Sequence, residues 1–275
     1  MRKAFTLIEL VVSLGILAAI LSFAGIIFRV SVESQRMAMA NAEVMQKLRI
    51  ITEQLDADFK SGAFRPSQYP YVYDGYVFAD TETISAGGKL TAVNSDGLVI
   101  FAAGDFRSTG QYGNRPIAGN VACVYYGQPD PNSYKQPPQP YQKFLVRRQT
   151  ILAIDGPAQG ADKRGEYYPK SPQEWLVNPP FVDANDWRRR PVVDPNNVTA
   201  SLPMIVAQGV DNFTVHYLNA GTLLRTAAIP WVRPTSNSGS SRFNPRALRF
   251  TFTLYDSKGI LKKGRTFTHI VVWDN

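Results

Sequence analysis

Few residues of this 275-residue chain have side chains suited to catalysis. There are two histidines, His216 and His269, and one cysteine, Cys123. A single cysteine excludes an intramolecular disulfide and a zinc site built from cysteines. Both histidines fall in segments that predict β-strands, without a Ser-His-Asp order, an HExxH, a P-loop or a GxGxxG motif. We therefore expect no enzyme activity, no catalytic residue and no cofactor, and we expect Cys123 to be a small core residue.

Three aspartates, Asp183, Asp186 and Asp194, lie close enough in sequence to suggest a metal site. Their spacing does not match the ligand positions of an EF-hand loop, and tryptophan and arginine residues separate them. A solvated loop explains them better, so the sequence predicts no metal site.

The chain has 30 Lys and Arg against 22 Asp and Glu, a net charge of +8. Arg188, Arg189 and Arg190 follow Trp187, a combination that can contact phosphate and stack on a base. An excess of cations also favours solubility and contact with acidic surfaces without any specific ligand. Nucleic-acid binding therefore remains as an alternative. Two further basic groups are Arg242, Arg246 and Arg249, and Lys262, Lys263 and Arg265.

Glu9 stands at the start of a long apolar segment. No charged residue occurs between Leu10 and Phe28, and a helix of that length crosses a hydrocarbon core of ~30 Å. A carboxylate at the start of a membrane helix is costly and normally has a partner. A neighbouring helix staggered along its axis would bring its terminal amine to Glu9, which predicts a role in subunit assembly. In the alternative, Glu9 extends to the membrane interface.

A cleaved secretory signal is the plainer explanation of this segment. Such signals have an apolar region of only ~7–15 residues and end in an A-x-A-like cleavage site. Here the helical pattern continues past Arg29 without a break. We therefore expect a membrane-spanning helix rather than a signal that is removed after Phe28.

The helix is predicted to continue as an amphipathic segment. Apolar residues recur at spacings of three and four, and no proline occurs before Pro66. Gly62 is a typical stop, so one helix should run from Phe5 to about Lys60, or ~84 Å. The apolar stripe comprises Met37, Ala40, Val44, Leu48, Ile51, Leu55 and Phe59. Charged pairs predicted on the solvent side are Glu43/Lys47, Arg49/Glu53 and Asp56/Lys60.

The remainder predicts β structure, and the fold class is α+β: a long N-terminal helical spike packed on an antiparallel β-sheet domain. Alternation is clearest in Leu248–Leu254, and Asp256–Gly264 predicts the loop of a C-terminal hairpin. The predicted strands are Tyr71–Phe78, Leu98–Ala102, Val121–Tyr126, Lys143–Ile154, Val210–Leu218, Leu223–Ile229, Leu248–Tyr255 and Thr266–Trp273. The predicted long loops are Gln128–Gln142, Asp155–Pro203 and Pro230–Pro245.

The segment Lys3–Val12, with the sequence KAFTLIELVV, resembles the prepilin leader of type IV pilins and type II secretion pseudopilins. The resemblance implies that a membrane prepilin peptidase cuts between Ala4 and Phe5 and methylates the new amine of Phe5. It also implies that Glu9 takes part in pairing between subunits. The family nearly always has glycine before the cut, so the small residue Ala4 should permit processing at a slower rate.

Later segments are similar to the J-type minor pseudopilins and W-type minor pilins. Gly209–Leu218 is similar to a "G-V-x-x-F-x-V-x-Y" strand of these proteins, and Pro245–Leu254 with Arg265–Thr268 is similar to their closing strands. Phe144–Arg148 and Gln54–Asp58 fit the same pattern loosely. Asp155–Pro203 has no counterpart in this comparison.

The resemblance divides the chain into a leader (1–4), a helix (5–60; 5–28 transmembrane, 29–60 amphipathic) and a periplasmic β-rich domain (61–275). It implies a minor pilin or pseudopilin that acts as an assembly subunit near the tip of a secretion pseudopilus or type IV pilus. Its expected partners are the prepilin peptidase, other pilins or pseudopilins and the bacterial inner membrane, with the N-terminus cytoplasmic and no small-molecule substrate. The alternative is a pilus-tip or competence-type protein whose basic domain binds DNA.

Overall fold

The structure is a computed structural model. It describes residues 7–60, 75–78, 83–86, 89–92, 95–112, 114–129, 134, 138–153, 166–169, 191, 193, 202–219, 241–243 and 245–272. Several predicted features lie outside these residues: the leader, Phe5, the strand Leu223–Ile229 and most of the loops Asp155–Pro203 and Pro230–Pro245.

A single helix, α1 (Leu7–Lys60), contains 54 residues and is about 81 Å long. It is followed by antiparallel sheets, which confirms the predicted α+β fold with a helical spike on a sheet domain. The helix is also long and apolar enough to cross a membrane, judged by its length and composition.

Only the second part of α1 packs on the sheets. Ala40, Val44, Ile51, Leu55 and Phe59 are buried, and Leu48 is partly buried, as the periodicity predicts. The inclusion of Met37 in this stripe was wrong, because its side chain is 44% exposed. Ala40 is the first buried residue of α1, so the helix reaches its partner sheets one turn later than the pattern indicated.

The described residues form twelve strands. The first six are β1 (Gly75–Phe78), β2 (Thr83–Ala86), β3 (Lys89–Ala92), β4 (Gly97–Tyr112), β5 (Arg115–Gly127) and β6 (Phe144–Leu152). The others are β7 (Tyr167–Tyr168), β8 (Ile205–Gln208), β9 (Val210–Asn219), β10 (Ser241–Phe243), β11 (Pro245–Leu254) and β12 (Arg265–Val272). Short 3-10 turns lie at Pro140–Gln142 and Leu202–Met204.

These strands form two main sheets and a separate hairpin, β2–β3. The large sheet has the order β10-β1-β4-β5-β6-β7, with β8 also pairing with β6, and only its β6–β7 pair is parallel. The small sheet has the order β12-β11-β9, all antiparallel. The pairing of Leu254 with Arg265 confirms the predicted C-terminal hairpin.

The strands differ from the prediction in three ways, one of which is that β2, β3 and β8 were not predicted. Second, β4 and β5 continue past their apolar parts into a long hairpin that turns at Asn114, whose φ is 71°. In addition, β7 lies within predicted loop Asp155–Pro203 and β10 within predicted loop Pro230–Pro245. Strands of two or three residues are too short to show a period of two, so alternation could not reveal them.

The core lies between α1 and the two sheets. Leu248, Phe250, Phe252 and Leu254 on β11 are fully buried on the face towards α1, and the ring of Phe59 lies 5.5 Å from that of Phe250. The large sheet contributes inward residues of β4, β5 and β6 to the same cluster: Leu98, Ile100, Ala102, Ala122, Val124, Tyr126 and Leu145. The amphipathic half of α1 therefore joins the two sheets.

Candidate functional site

The candidate site is the half of α1 that projects from the sheets. Every side chain from Leu7 to Phe28 is exposed, and this segment contains the apolar window that is long enough to span a membrane. Contiguous apolar surface of this size marks a contact with lipid or with other proteins. The first half of α1 is therefore built to be covered by something outside its own fold.

Glu9 lies on this projecting segment. It is the acidic residue of the first described turn, and it is exposed among the apolar neighbours Ile8, Val12 and Ile16, with Ser13 beside them. A carboxylate near a helix N-terminus is stabilised by the helix dipole. The predicted cleavage position, between Ala4 and Phe5, lies outside the described residues, so cleavage, methylation and the assembly role of Glu9 stay predictions.

A buried ion pair fixes the base of α1 to the large sheet. Arg147 on β6 binds Asp58 with both ends of its guanidinium, with Nε–Oδ2 at 2.6 Å and Nη2–Oδ1 at 2.7 Å. The hydroxyl of Tyr126 on β5 also donates to Oδ2 of Asp58, and Nη1 of Arg147 donates to Oε1 of Gln149 at 3.1 Å. A bidentate pair of this kind fixes both distance and orientation.

The ionisation of this cluster follows from its burial. Burial first, and then the negative charge of Asp58, raise the pKa of Tyr126, so its hydroxyl stays a donor. Burial works to lower the pKa of Arg147, but the hydrogen bonds and charge of Asp58 outweigh it and leave that pKa raised. Arg147 therefore stays charged and Tyr126 stays neutral over the physiological pH range.

A second set of contacts attaches α1 to the small sheet. Lys47 Nζ donates to the carbonyl of Tyr255 at 2.9 Å, and the amide of Ser257 donates to Glu43 Oε1 at 2.9 Å. The Glu43–Lys47 pair forms as predicted at 2.8 Å, but its side chains are only 32% and 12% exposed. Its placement on the solvent side was therefore wrong, because the pair faces the β11–β12 loop.

The other two predicted pairs have different outcomes. Arg49 and Glu53 pair at 2.7 Å with highly exposed side chains, as predicted. Asp56 faces the small sheet, where its Oδ1 lies 2.9 Å from Nε2 of His269 on β12, and its predicted pairing with Lys60 stays a prediction. The side chain of Lys60 lies outside the described part of the chain.

The other residues singled out in the sequence add little to the candidate site. Arg188, Arg189 and Arg190 lie outside the described residues, so the structure gives them no surroundings. Cys123 is buried as predicted, and burial raises the pKa of its thiol to about 12. Among the described residues, no group of three His, Cys, Asp or Glu side chains could hold a metal ion. Asp183, Asp186 and Asp194 lie outside that part of the chain.

Sequence reasoning missed the roles of Asp58, Tyr126 and Arg147. Both Phe144–Arg148 and Gln54–Asp58 stood out in the sequence, but only as loose matches to a family pattern. A usable signal was present, because Arg147 occupies an inward position between the buried residues Leu145 and Ile151. A cation on the core face of a strand requires a buried anion, and the amphipathic helix was the nearest predicted source.

Comparison of the chain with known protein families, with characterised proteins and with solved structures finds no match in any of the three. The fold and the site therefore define the architecture of the chain but not its family. It is an α+β protein in which the described residues contain one N-terminal helix that is long and apolar enough to span a membrane and is fixed at its base to antiparallel sheets.

Proposed function

We propose that this chain is a minor pilin or pseudopilin, an assembly subunit that inserts through its N-terminal helix. The observation that carries the proposal is the continuity of α1. One helix joins an apolar, exposed half to an amphipathic half that is buried against two sheets. A simple membrane anchor needs no rigid connection to its domain, whereas a filament subunit must hold its helix at a fixed angle to its domain.

The contacts at the base of α1 give that angle a physical basis. Asp58 and Arg147 attach the helix to the large sheet, and Asp56 with His269 attaches it to the small sheet. Two attachments to different sheets restrict rotation of the helix about its own axis as well as bending. The exposed apolar half would then have one orientation in every copy, which stacking of identical helices requires.

The sequence supplies the chemistry for the remaining steps. The resemblance of Lys3–Val12 to prepilin leaders supports cleavage before Phe5 and methylation of its amine by a prepilin peptidase. Exposed Glu9 supports pairing with the terminal amine of a neighbouring subunit. We place the chain in the bacterial inner membrane before assembly, with its sheet domain in the periplasm. The J-type and W-type likeness favours a position near the tip.

N-terminal mass spectrometry tests this proposal. The full chain is produced in bacteria with and without a prepilin peptidase, and the N-terminus is identified in washed membranes. We expect N-methylated Phe5 only when the peptidase is present. Ala4→Gly should speed the cut, and Ala4→Lys should stop it. An N-terminus after Phe28 would show a cleaved secretory signal, and an intact Met1 in the presence of active peptidase would also contradict the proposal.

A further inference from the structure

The β11–β12 loop, residues 255–264, lies at the end of the sheet domain that faces the projecting half of α1. Its Tyr255 and Ser257 bond to Lys47 and Glu43. Later on β12, His269 contacts Asp56. Asp56 lies thirteen residues after Glu43, which is about 20 Å along the helix. The strand β12 therefore runs along α1 away from the apolar half, and the loop that precedes it points towards that half.

The opposite end of the domain is the tip of the β4–β5 hairpin. Lys143 directly precedes β6, and its backbone carbonyl accepts a hydrogen bond from the amide of Gly209, which lies beside Lys47. Arg147, four residues later on β6, binds Asp58. β6 thus runs in the same direction as α1, and so does β4 two strands away. The turn at Asn114 is then the part of this hairpin farthest from the projecting half.

The loop carries its cations in a fixed geometry. The buried carboxylate of Asp256 accepts hydrogen bonds from the amides of Ile260 and Leu261, each at 2.8 Å. Gly259 has a φ of 66°, and its position against the ring of Tyr141 would put an added Cβ only 3.2 Å away. Side chains that project from an ordered loop lose less freedom when they bind a surface.

The charge of this loop is strongly positive. Lys258, Lys262, Lys263 and Arg265 are all exposed at or beside it. Its one acidic residue, Asp256, is fully buried and committed to backbone amides. The nearby Lys143–Asp211 pair, at 2.6 Å, adds no net charge. A cluster of four cations on the side facing the projecting helix matches an anionic surface that this helix enters.

We propose that the β11–β12 loop binds the phosphate groups of anionic phospholipids in the leaflet from which α1 emerges. This inference rests on the proposed function, because it requires α1 to span a membrane. Glu43 lies fifteen residues after Phe28, so an upright helix would hold the loop about 22 Å beyond the apolar segment. Membrane helices tilt by as much as ~40°, which reduces this height to about 17 Å, and a tilt towards the side of the loop lowers the loop further, so that its long lysine side chains extend towards the head groups.

The position of the loop favours a membrane over a nucleic acid. A long anionic polymer approaches from solvent and is bound best by cations on an outward surface. These cations lie on the end of the domain that faces the projecting helix, where the bilayer limits access. Before assembly, binding here would set the tilt of α1 and keep the domain close to the membrane. Entry into a filament would then require its release.

The test places a fluorophore on the loop of the full chain. Ser257→Cys is exposed and can be labelled, whereas Cys123 is buried and stays unreactive. The labelled chain is inserted into nanodiscs of phosphatidylcholine alone or with phosphatidylglycerol, each containing a lipid with a quencher on its head group. We expect quenching at least about threefold greater with phosphatidylglycerol at low salt, and a return to the neutral-lipid value in 0.5 M NaCl.

Matched variants identify the cations responsible. Combined Lys258→Gln, Lys262→Gln and Lys263→Gln should remove the extra quenching. Combined Arg107→Gln and Arg115→Gln, which neutralises exposed cations on the distant β4–β5 hairpin, should leave it intact. Equal quenching in both lipids, or loss of quenching in the control variant as well, would overturn the inference.

Two further outcomes separate this inference from the function on which it rests. A chain that is retained in nanodiscs but shows no dependence on phosphatidylglycerol leaves the membrane helix intact and refutes only lipid binding. A chain that washes out of nanodiscs refutes the membrane role of α1 and the inference with it. Salt-sensitive binding of duplex DNA that needs the same three lysines, without an effect of anionic lipid, would also overturn the inference and assign the loop to nucleic acid.

Discussion

Arg147 on β6 donates two hydrogen bonds, of 2.6 and 2.7 Å, to the carboxylate of Asp58 on α1, and both side chains are largely buried. The two residues are 89 positions apart, so the pair forms only when the helix lies correctly on the large sheet. It therefore reports directly on the docking of α1.

The first prediction concerns this pair. Asp58→Ala should destabilise the sheet domain by about 3–5 kcal/mol, because it leaves the guanidinium of Arg147 buried without its anion. The double variant Asp58→Leu with Arg147→Met should cost less than the single change, since neither charge then remains. Thermal unfolding of the full chain in detergent measures both effects.

The exposed pair Arg49–Glu53 supplies the control for this experiment. Both members project into solvent from the same helix, so Arg49→Ala with Glu53→Ala should leave the melting temperature nearly unchanged. If Asp58→Ala proved as mild as this control, the buried pair would have no part in holding α1 to the sheet.

The long helix could be predicted from the sequence because its signals are local. The uncharged run up to Phe28 and the three-and-four spacing from Ala40 to Phe59 each identify a helix without knowledge of the fold. The inclusion of Met37 failed for a physical reason. Periodicity shows which side of a helix is apolar, but the start of the contact depends on where the partner sheets end.

The contacts that attach the helix are not local, and the sequence predicted them poorly. Glu43 and Lys47 form a good i,i+4 pair, which led to a solvent-side placement, but both also bond to the β11–β12 loop. Lys60 lies four residues after Asp56, which is a favourable spacing for an ion pair, but the fold also brings His269 into contact with Asp56. A pair at i,i+4 shows that two charges can meet, and only the tertiary fold shows what else they meet.

The second prediction tests where the packed half of α1 begins. Ile51→Ala should destabilise the domain by about 2–5 kcal/mol, because Ile51 is fully buried between the sheets. Met37→Ala should change stability by less than about 0.5 kcal/mol, since Met37 is exposed. Thermal unfolding in detergent compares the two, and equal losses would show that the contact extends to Met37.

The same packing predicts the result of truncation. The side chains of Val44, Ile51, Leu55 and Phe59 together contribute roughly 6–12 kcal/mol of burial, which is comparable to the stability of a whole domain. A chain beginning at Val32 should therefore melt cooperatively, while one beginning at Gly62 should aggregate or melt far lower. Similar melting of both chains would refute the role of α1 as a cover for the core.

The third prediction concerns pH and Glu43. Burial opposes the ionisation of Glu43, but bonds from Lys47 and Ser257 outweigh it, so its pKa lies below the usual 4.5. A lowered folded-state pKa means that the stabilisation is fully present above about pH 4.5 and is lost as the pH falls through the lower folded value. Because Glu43 is partly exposed, the effect should stay below about 1 kcal/mol.

The measurement compares the parent chain with Glu43→Gln at pH 7 and at pH 3. The parent should be the more stable at pH 7, and the difference should shrink as the pH is lowered to 3, because Glu43 then gains protons and loses the stabilisation that its charged form provides. Lys47→Met should reduce this pH-dependent difference, because it removes one of the two donors. A difference that grows on acidification would show that the pKa is shifted in the opposite direction.

The fourth prediction concerns Glu9 and assembly. Glu9→Leu should preserve membrane insertion and leader cleavage, because loss of a charge favours insertion by at most ~2.5–3.5 kcal/mol and by less near the helix end. Assembly should suffer, because a neighbour's terminal amine would enter an apolar bundle without its anion. Such a loss costs about 3–5 kcal/mol, or about two to three and a half decades in association.

Crosslinking of the processed chain to its partner subunits in membranes measures this effect, and Glu9→Asp should be intermediate because its carboxylate reaches less far. Glu33→Leu is the matched control, since it removes an exposed carboxylate from the same helix beyond the apolar run. That variant should assemble like the parent, because a carboxylate outside the membrane is solvated and needs no partner. If Glu9→Leu were processed and assembled as well as Glu33→Leu, the pairing between subunits would be wrong for this chain. Glu9 would then extend to the membrane interface. The first explanation to examine would be a position at the tip of the filament, where a subunit has fewer neighbours above it to supply a terminal amine.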